Sequence, residues 1–206
     1  MSAIIFDFDG TIADSFDYVA DFLAGEAGIK QLSDEQRAEL RNKSMSAMTR
    51  HLNYPRWKLP GLYFKGRRAM SKKINNLEPF EGISETIRKL HAEGHELFIV
   101  TSNSLHNVHS FLHHHDLHTY FLKVVASVSV FGKAGALRKL LNEQKLSIND
   151  SLYIGDELRD IQAANSIKLR VVAASWGFSN AIDLEAAKPF ALINKPEDLI
   201  KILEEL

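Results

Sequence analysis

The feature that most constrains this chain is a rhythm that starts near residue 80. Short apolar runs at Glu96–Val100, Lys123–Ala126, Leu152–Ile154, Leu169–Ala173 and Ala191–Ile193 alternate with amphipathic stretches. Those stretches are Ile83–Glu93, Leu105–His115, Ala134–Gln144, Leu158–Ser166 and Pro196–Glu205. Strand-sized runs separated by helix-sized ones need crossover connections, which produce parallel pairs flanked by helices. The expected fold class is α/β, with a Rossmann-like parallel sheet. One more apolar run, Ala3–Phe6, stands apart at the N-terminus and has to reach across the intervening residues to join that sheet.

Those residues, 15–78, have another texture. They carry no strong β-run, and helical patterns recur at Phe16–Ala27, Asp34–His51 and Gly61–Asn75. Ser33 followed three residues later by Gln36 has the form of a capping box for the second helix. The expected division is a core of residues 1–14 and 79–206, with a small helical lobe, 15–78, inserted after the first strand and hinged near Ser15 and Pro79.

Composition removes several alternatives. The 206 residues are 45% hydrophobic and 25% charged, as in ordinary globular chains, and a net charge of −1 does not suit a dedicated nucleic-acid binder. The absence of cysteine excludes disulfides, zinc-thiolate sites and thiol nucleophiles, in keeping with a reducing cytoplasm. No stretch approaches the ~18 apolar residues of a membrane span. The apolar start is broken by Asp7 and Asp9 too early for a secretory signal. A cytoplasmic protein without membrane or nucleic-acid partners is expected.

The chemistry-bearing residues fall where the candidate strands end. In Phe6-Asp7-Phe8-Asp9-Gly10-Thr11, residues two apart on a strand face one way, so Asp7 and Asp9 project together. Ligands of open α/β sheets bind at that carboxyl end. Paired carboxylates push one pKa upward, which separates a nucleophile from a general acid. A plain polar turn explains this segment equally well when it is read alone. After Glu96–Val100 come Thr101, Ser102 and Asn103, which would either bind a phosphate at a helix start or simply cap it. Lys133 opens a helix, an awkward place for a cation unless an anion is near. Gly155-Asp156-Glu157-Leu158-Arg159-Asp160 puts acids just past a strand, with Asp156 and Asp160 four apart on one helix face. Acids favour helix starts anyway, but magnesium also takes a few carboxylates plus water and phosphate oxygens.

In this order, the four segments resemble the four motifs of the haloacid dehalogenase superfamily of phosphohydrolases: Asp7 through Thr11, Thr101, Lys133, and Gly155-Asp156 through Asp160. The resemblance implies that Asp7 attacks phosphorus to form an aspartyl-phosphate, while Asp9 protonates the leaving oxygen and then activates water. It implies that Thr11, Thr101, Ser102, Asn103 and Lys133 grip the phosphoryl oxygens, with Lys133 counted among the catalytic residues. Mg2+ would be held by Asp7, the Asp9 main-chain carbonyl and Asp156, with Asp160 supporting the site. The inserted lobe looks like a cap that closes over the substrate, a small phosphate ester. Ile12-Ala13-Asp14-Ser15 and Ser175-Trp176-Gly177-Phe178 resemble the phosphoglycolate phosphatase-like branch. Lys133, however, sits in Phe-Gly-Lys-Ala-Gly rather than the Lys-Pro-x-Pro frequent in that branch, and the lobe is compact.

Two rival readings keep the same scaffold: a phosphotransferase or sugar-phosphate mutase that excludes water, and a catalytically idle binding module. The basic stretch from Arg50 to Lys73 reads as a solvated face, and Trp57, Tyr63 and Phe64 as core of the lobe. His113, His114 and His115 point different ways from a helix and cannot share one ion. Neither the particular substrate nor the oligomeric state is legible here.

Overall fold

The structure is a computed structural model that describes residues 2–41, 43–126 and 132–204. After β1 (Ala3–Phe6) come four helices: α1 (Phe16–Glu26), α2 (Asp34–Leu40), α3 (Met45–His51) and α4 (Leu59–Met70). Then α5 (Ile83–Ala92) leads into β2 (Glu96–Val100), α6 (Leu105–His114) and β3 (Phe121–Val125). The chain continues with α7 (Lys133–Glu143), β4 (Ser151–Gly155), α8 (Leu158–Ser166) and β5 (Arg170–Ala174), and ends with α9 (Ala181–Ala186), β6 (Ala191–Ile193) and α10 (Asp198–Glu204).

The six strands make one parallel sheet in the order β3-β2-β1-β4-β5-β6. Both faces are covered, so the central strands β1, β2, β4 and β5 are mostly apolar instead of alternating. Ile4 and Phe6 join Ile87 of α5, Phe111 of α6 and Leu199 of α10 on one face. Ala3 and Ile5 join Leu137 of α7, Ile161 of α8 and Leu184 of α9 on the other. β1 pairs with both β2 and β4. The chain runs outward from β1 through β2 to β3, then restarts at β4 on the opposite side. The carboxyl ends of β1 and β4 therefore flank the topological switch point, where open α/β sheets bind ligands.

The helical segment leaves and rejoins the sheet by two adjacent stretches. Asp14 N–H donates to the Glu78 carbonyl at 2.9 Å, and Phe80 N–H to that of Ile12 at 3.0 Å. Phe16, Val19 and Leu23 of α1, Leu40 of α2, Met48 of α3 and Leu62 of α4 extend the apolar cluster on the α5 face of the sheet. The Ser33–Gln36 capping box forms at the start of α2. No helix among the described residues is long and apolar enough to cross a membrane.

Some expectations need correction. Asp34–His51 is not one helix: Arg41 turns extended, and Ser44 caps a fresh start by accepting Ala47 N–H at 3.3 Å. A serine with a free backbone donor three residues ahead competes with helix continuation. The expected helix Gly61–Asn75 begins at Leu59 and ends at Met70, followed by a separate 3-10 turn at Ile74–Asn76. The short helix α9, begun by Asn180 accepting Asp183 N–H at 2.8 Å, was not foreseen. Val130, Phe131 and Glu205 lie outside the described residues.

Candidate active site

Asp7 follows β1 directly, and its N–H still bonds the Ile154 carbonyl of β4 at 2.8 Å. Its Oδ1 accepts Phe8 N–H at 2.8 Å, which orients the carboxylate. The chain then turns at Gly10, whose φ of 78° is the left-handed region. A Cβ there would lie 2.2 Å from Asp156 Oδ2, and one at Gly177 would lie 2.4 Å from the same oxygen. Two glycines thus make room for Asp156 at the end of β4. Its Oδ1 accepts the Thr11 hydroxyl at 3.1 Å, and its Oδ2 accepts Phe178 N–H at 2.8 Å. Thr11, expected at the substrate, spends its hydroxyl on this acid.

Lys133, only 3% exposed at the first turn of α7, is the cation that keeps these acids together. Its ammonium donates to Asp7 Oδ2 at 2.5 Å and to Asp160 Oδ1. Asp160 also accepts the Tyr153 hydroxyl at 3.1 Å and Glu157 N–H at 3.0 Å. Burial works against the Lys133 charge, but Asp160 and Asp7 more than offset it and hold its pKa above the usual lysine value. Asp7 is pushed up from 3.8 to about 6, chiefly by burial, with Lys133 pulling the other way. Asp156 is driven well above the carboxylate range by burial and then by Glu157, Asp160 and Asp7. Asp156 itself precedes the helix rather than sharing its face with Asp160, because α8 starts only at Leu158.

Asp9 lies on the other side of the turn. Asn103 Nδ2 donates to both of its carboxylate oxygens, at 3.2 and 3.0 Å. Burial raises its pKa and the Asn103 bond opposes the rise. Thr101 and Ser102 are buried beside it, and Thr101 Oγ1 accepts Asn103 N–H at 3.0 Å. Asp7, Lys133, Asp156 and Asp160 thus gather at the switch point, with Thr11 bonded to Asp156 and Asn103 to Asp9. Reading the sequence missed the Asn103 side-chain contact to Asp9, the Tyr153 hydroxyl, and the pair Glu157–Arg159. Glu157 and Arg159 lay within the segment 155–160, where Arg159 is a single cation among acids.

The donor set suits a hard divalent cation. Asp7, Asp156 and Asp160 each offer a buried carboxylate oxygen, and the three lie within 4.8 Å of one another. Such acids repel one another, and a divalent ion cancels that repulsion. All three already accept hydrogen bonds, Asp160 the most, from Lys133, Tyr153 and Glu157 N–H. The Asp9 carboxylate faces Asn103 and is not one of this trio.

Two other features settle differently from each other. His113 stacks on His118 at 4.0 Å between ring centroids, while His115 Nε2 bonds the Leu77 carbonyl at 2.8 Å, tying the end of α6 to the returning chain. Trp57 and Phe64 are not core: they are 79% and 70% exposed, because four short helices enclose too little volume to bury them. Of the basic residues, Lys65 pairs with Glu26 at 2.8 Å, and Arg67 lies 4.5 Å over the Tyr63 ring.

Comparison with known proteins agrees with this geometry. The family model for haloacid dehalogenase-like hydrolases matches residues 4–174. A phosphoglycolate phosphatase of Synechococcus elongatus is 32% identical over 209 aligned positions, covering 100% of this chain and 99% of that protein. The pyrophosphatase PpaX of Bacillus cereus is 29% identical over 63% of this chain and 62% of its own length. Among solved structures, a haloacid dehalogenase-like hydrolase from Streptococcus pneumoniae superposes with a TM-score of 0.80 at 20% identity, covering 98% of each chain. A hydrolase from Pseudomonas syringae gives 0.75 at 23%, covering 100% and 99%. With an aspartate pair after the first strand, a buried lysine and a second acid after the fourth strand, this chain belongs to the haloacid dehalogenase-like hydrolases.

Proposed function

We propose that the chain is a magnesium-dependent phosphatase that hydrolyses a small phosphate monoester, phosphoglycolate or a close analogue, through phosphorylated Asp7. The observation that carries this reading is the convergence of Asp7, Lys133, Asp156 and Asp160 at the switch point. The full-length likeness to a phosphoglycolate phosphatase supports it.

An Asp7 oxygen attacks phosphorus as the bond to the leaving oxygen breaks, and Asp9 gives that oxygen its proton. A water then loses a proton to Asp9 and attacks the aspartyl-phosphate, releasing phosphate and restoring Asp7. Burial raises the Asp9 pKa, the direction a proton donor needs, and the Asn103 bond opposes it. Lys133 keeps Asp7 ionised and neutralises phosphoryl oxygens, with Thr101, Ser102 and Asn103 along the opposite wall. Asp7, the Asp9 carbonyl and Asp156 would hold the magnesium, which supplies positive charge to the transferring phosphoryl group. The helices between Ser15 and Pro79 form the cap that closes over the substrate.

The test is phosphate release from a panel of esters, including phosphoglycolate, sugar phosphates and nucleotides, with and without magnesium. Turnover is expected with magnesium and no acceptor, vanishing in chelator. Asp7→Asn is expected to lose at least about 10⁴-fold in kcat while staying folded, the scale on which covalent nucleophiles act. Comparable activity in that variant would remove Asp7 as nucleophile. Transfer only to a sugar acceptor would identify a phosphotransferase or mutase. Inertness across the panel would leave a binding module.

A further inference from the structure

Lys133 is committed to Asp7 and Asp160, which leaves a second, half-buried cation next to the acidic segment without a catalytic assignment. Arg159, its side chain 22% exposed, pairs with Glu157 through one terminal nitrogen. Its Nε is buried and has no hydrogen-bond partner among the described residues. Glu157, 5% exposed, accepts Met45 N–H of α3 at 3.1 Å with its other oxygen. It therefore spans the seam between sheet core and helical segment and fixes the guanidinium there.

The facing wall is α4. Tyr63, Arg67 and Met70 fall at i, i+4 and i+7, one stripe of the helix. Met70 Sδ meets Asn103 Nδ2 at 3.0 Å, the same amide that holds Asp9, and the Arg67 carbonyl accepts Asn107 Nδ2 at 3.0 Å. The stripe thus lies over the leaving-group side of the site. Tyr63 Oη and Arg67 Nε, like Arg159 Nε, are buried without partners among the described residues. The Arg67 guanidinium lies 4.5 Å over the Tyr63 ring, so the two side chains form one surface of α4. Buried donors without acceptors are costly, so three along one seam call for an acceptor-rich guest. A guanidinium with a free edge matches a carboxylate or phosphate.

We propose that Arg159 is a specificity-determining residue that receives a second anionic group, carried by the leaving group of the substrate, with Glu157 as the positioning residue that holds it and Arg67 and Tyr63 closing the pocket. This rests on the phosphatase reading and deepens it.

The experiment measures kcat/KM with magnesium for phosphoglycolate, inorganic pyrophosphate and 2-hydroxyethyl phosphate, the last matching phosphoglycolate in length but lacking its carboxylate. The wild type should prefer at least one of the two doubly anionic compounds, and which one it prefers tells carboxylate from phosphate. Arg159→Gln should cut that preference ratio roughly 10- to 100-fold, the range of a hydrogen bond to a charged group. Arg159→Lys should fall between, since it keeps charge but not the fork, and Arg67→Gln should lower the same ratio from the cap side. If Arg159→Gln does not fold, the other two variants carry the measurement. A ratio unmoved in the folded variants, or a wild type that favours 2-hydroxyethyl phosphate, overturns the assignment. Failure to hydrolyse any phosphate ester would instead overturn the phosphatase reading beneath it.

Discussion

Replacing Lys133 with methionine tests whether one buried cation holds the acidic cluster together. Methionine keeps the stem and removes the ammonium, which Asp7 Oδ2 and Asp160 Oδ1 share. Removing one partner from a buried ion pair costs about 3–5 kcal/mol, because the remaining charge has no compensation. Here two carboxylates are stranded, although Asp7 keeps its bond from Phe8 N–H and Asp160 keeps those from Tyr153 and Glu157. A loss of about 3–5 kcal/mol is therefore expected at pH 7.5 in chelator. The sign with pH follows from Asp160. Burial pushes its pKa up, but Lys133 and then Arg159 outweigh that and hold it below the usual 3.8. In the wild type, Asp160 thus contributes stability that is present above its unfolded pKa and lost as pH falls through the lower folded one. Without Lys133 burial is left less opposed at both Asp160 and Asp7 and raises both carboxyls, so the deficit of the variant is largest near neutrality and shrinks on acidification. Urea unfolding followed by circular dichroism at pH 7.5 and 4.5 measures both, and saturating magnesium should recover part of the loss. A deficit under about 1 kcal/mol, or one that grows on acidification, would refute the role given to Lys133.

The metal-free wild type should itself lose stability as pH rises through about 6. The Asp7 pKa is raised from 3.8 to about 6, so its contribution is full below 3.8 and gone above the higher value. That is worth about 3 kcal/mol at 1.36 kcal/mol per unit, and Asp9 and Asp156 act in the same direction. Denaturation curves from pH 4 to 7.5 in chelator check it; stability that climbs through this window contradicts the burial argument, and magnesium should flatten the fall. Gly177→Ala would set a Cβ 2.4 Å from both Asp156 Oδ2 and the Gly10 carbonyl, displacing the acid proposed to hold magnesium. At least a roughly tenfold rise in the magnesium needed for half-maximal activity is expected, of the size seen when a ligand's support is disturbed. An unchanged magnesium requirement would show that the acid tolerates the shift.

How much was legible follows from where the information is held. The strands were readable because a parallel sheet buried on both faces needs uninterrupted apolar runs, and residues 97–100 and 152–154 stand in the chain as such runs. The break between α2 and α3 was less legible. Helix-compatible residues fill both sides, and the decision lies in one Ser44 side chain finding Ala47 N–H. Trp57 and Phe64 misled because an aromatic residue in a helical pattern reads as core, whereas exposure depends on how much volume the surrounding helices enclose.

The sequence by itself determined the fold class and the chemical inventory: apolar periodicity dictated parallel strands, and acids, hydroxyls and lysine at strand ends marked the candidate site. Tertiary structure alone decided the partners. Thr11 turned to Asp156, Asn103 to Asp9, and Glu157 reached across to Met45 with Arg159 beside it. Periodicity is a local property written along the chain. A hydrogen bond between residues more than 90 positions apart depends on the crossing of separate elements, which no short stretch of sequence encodes.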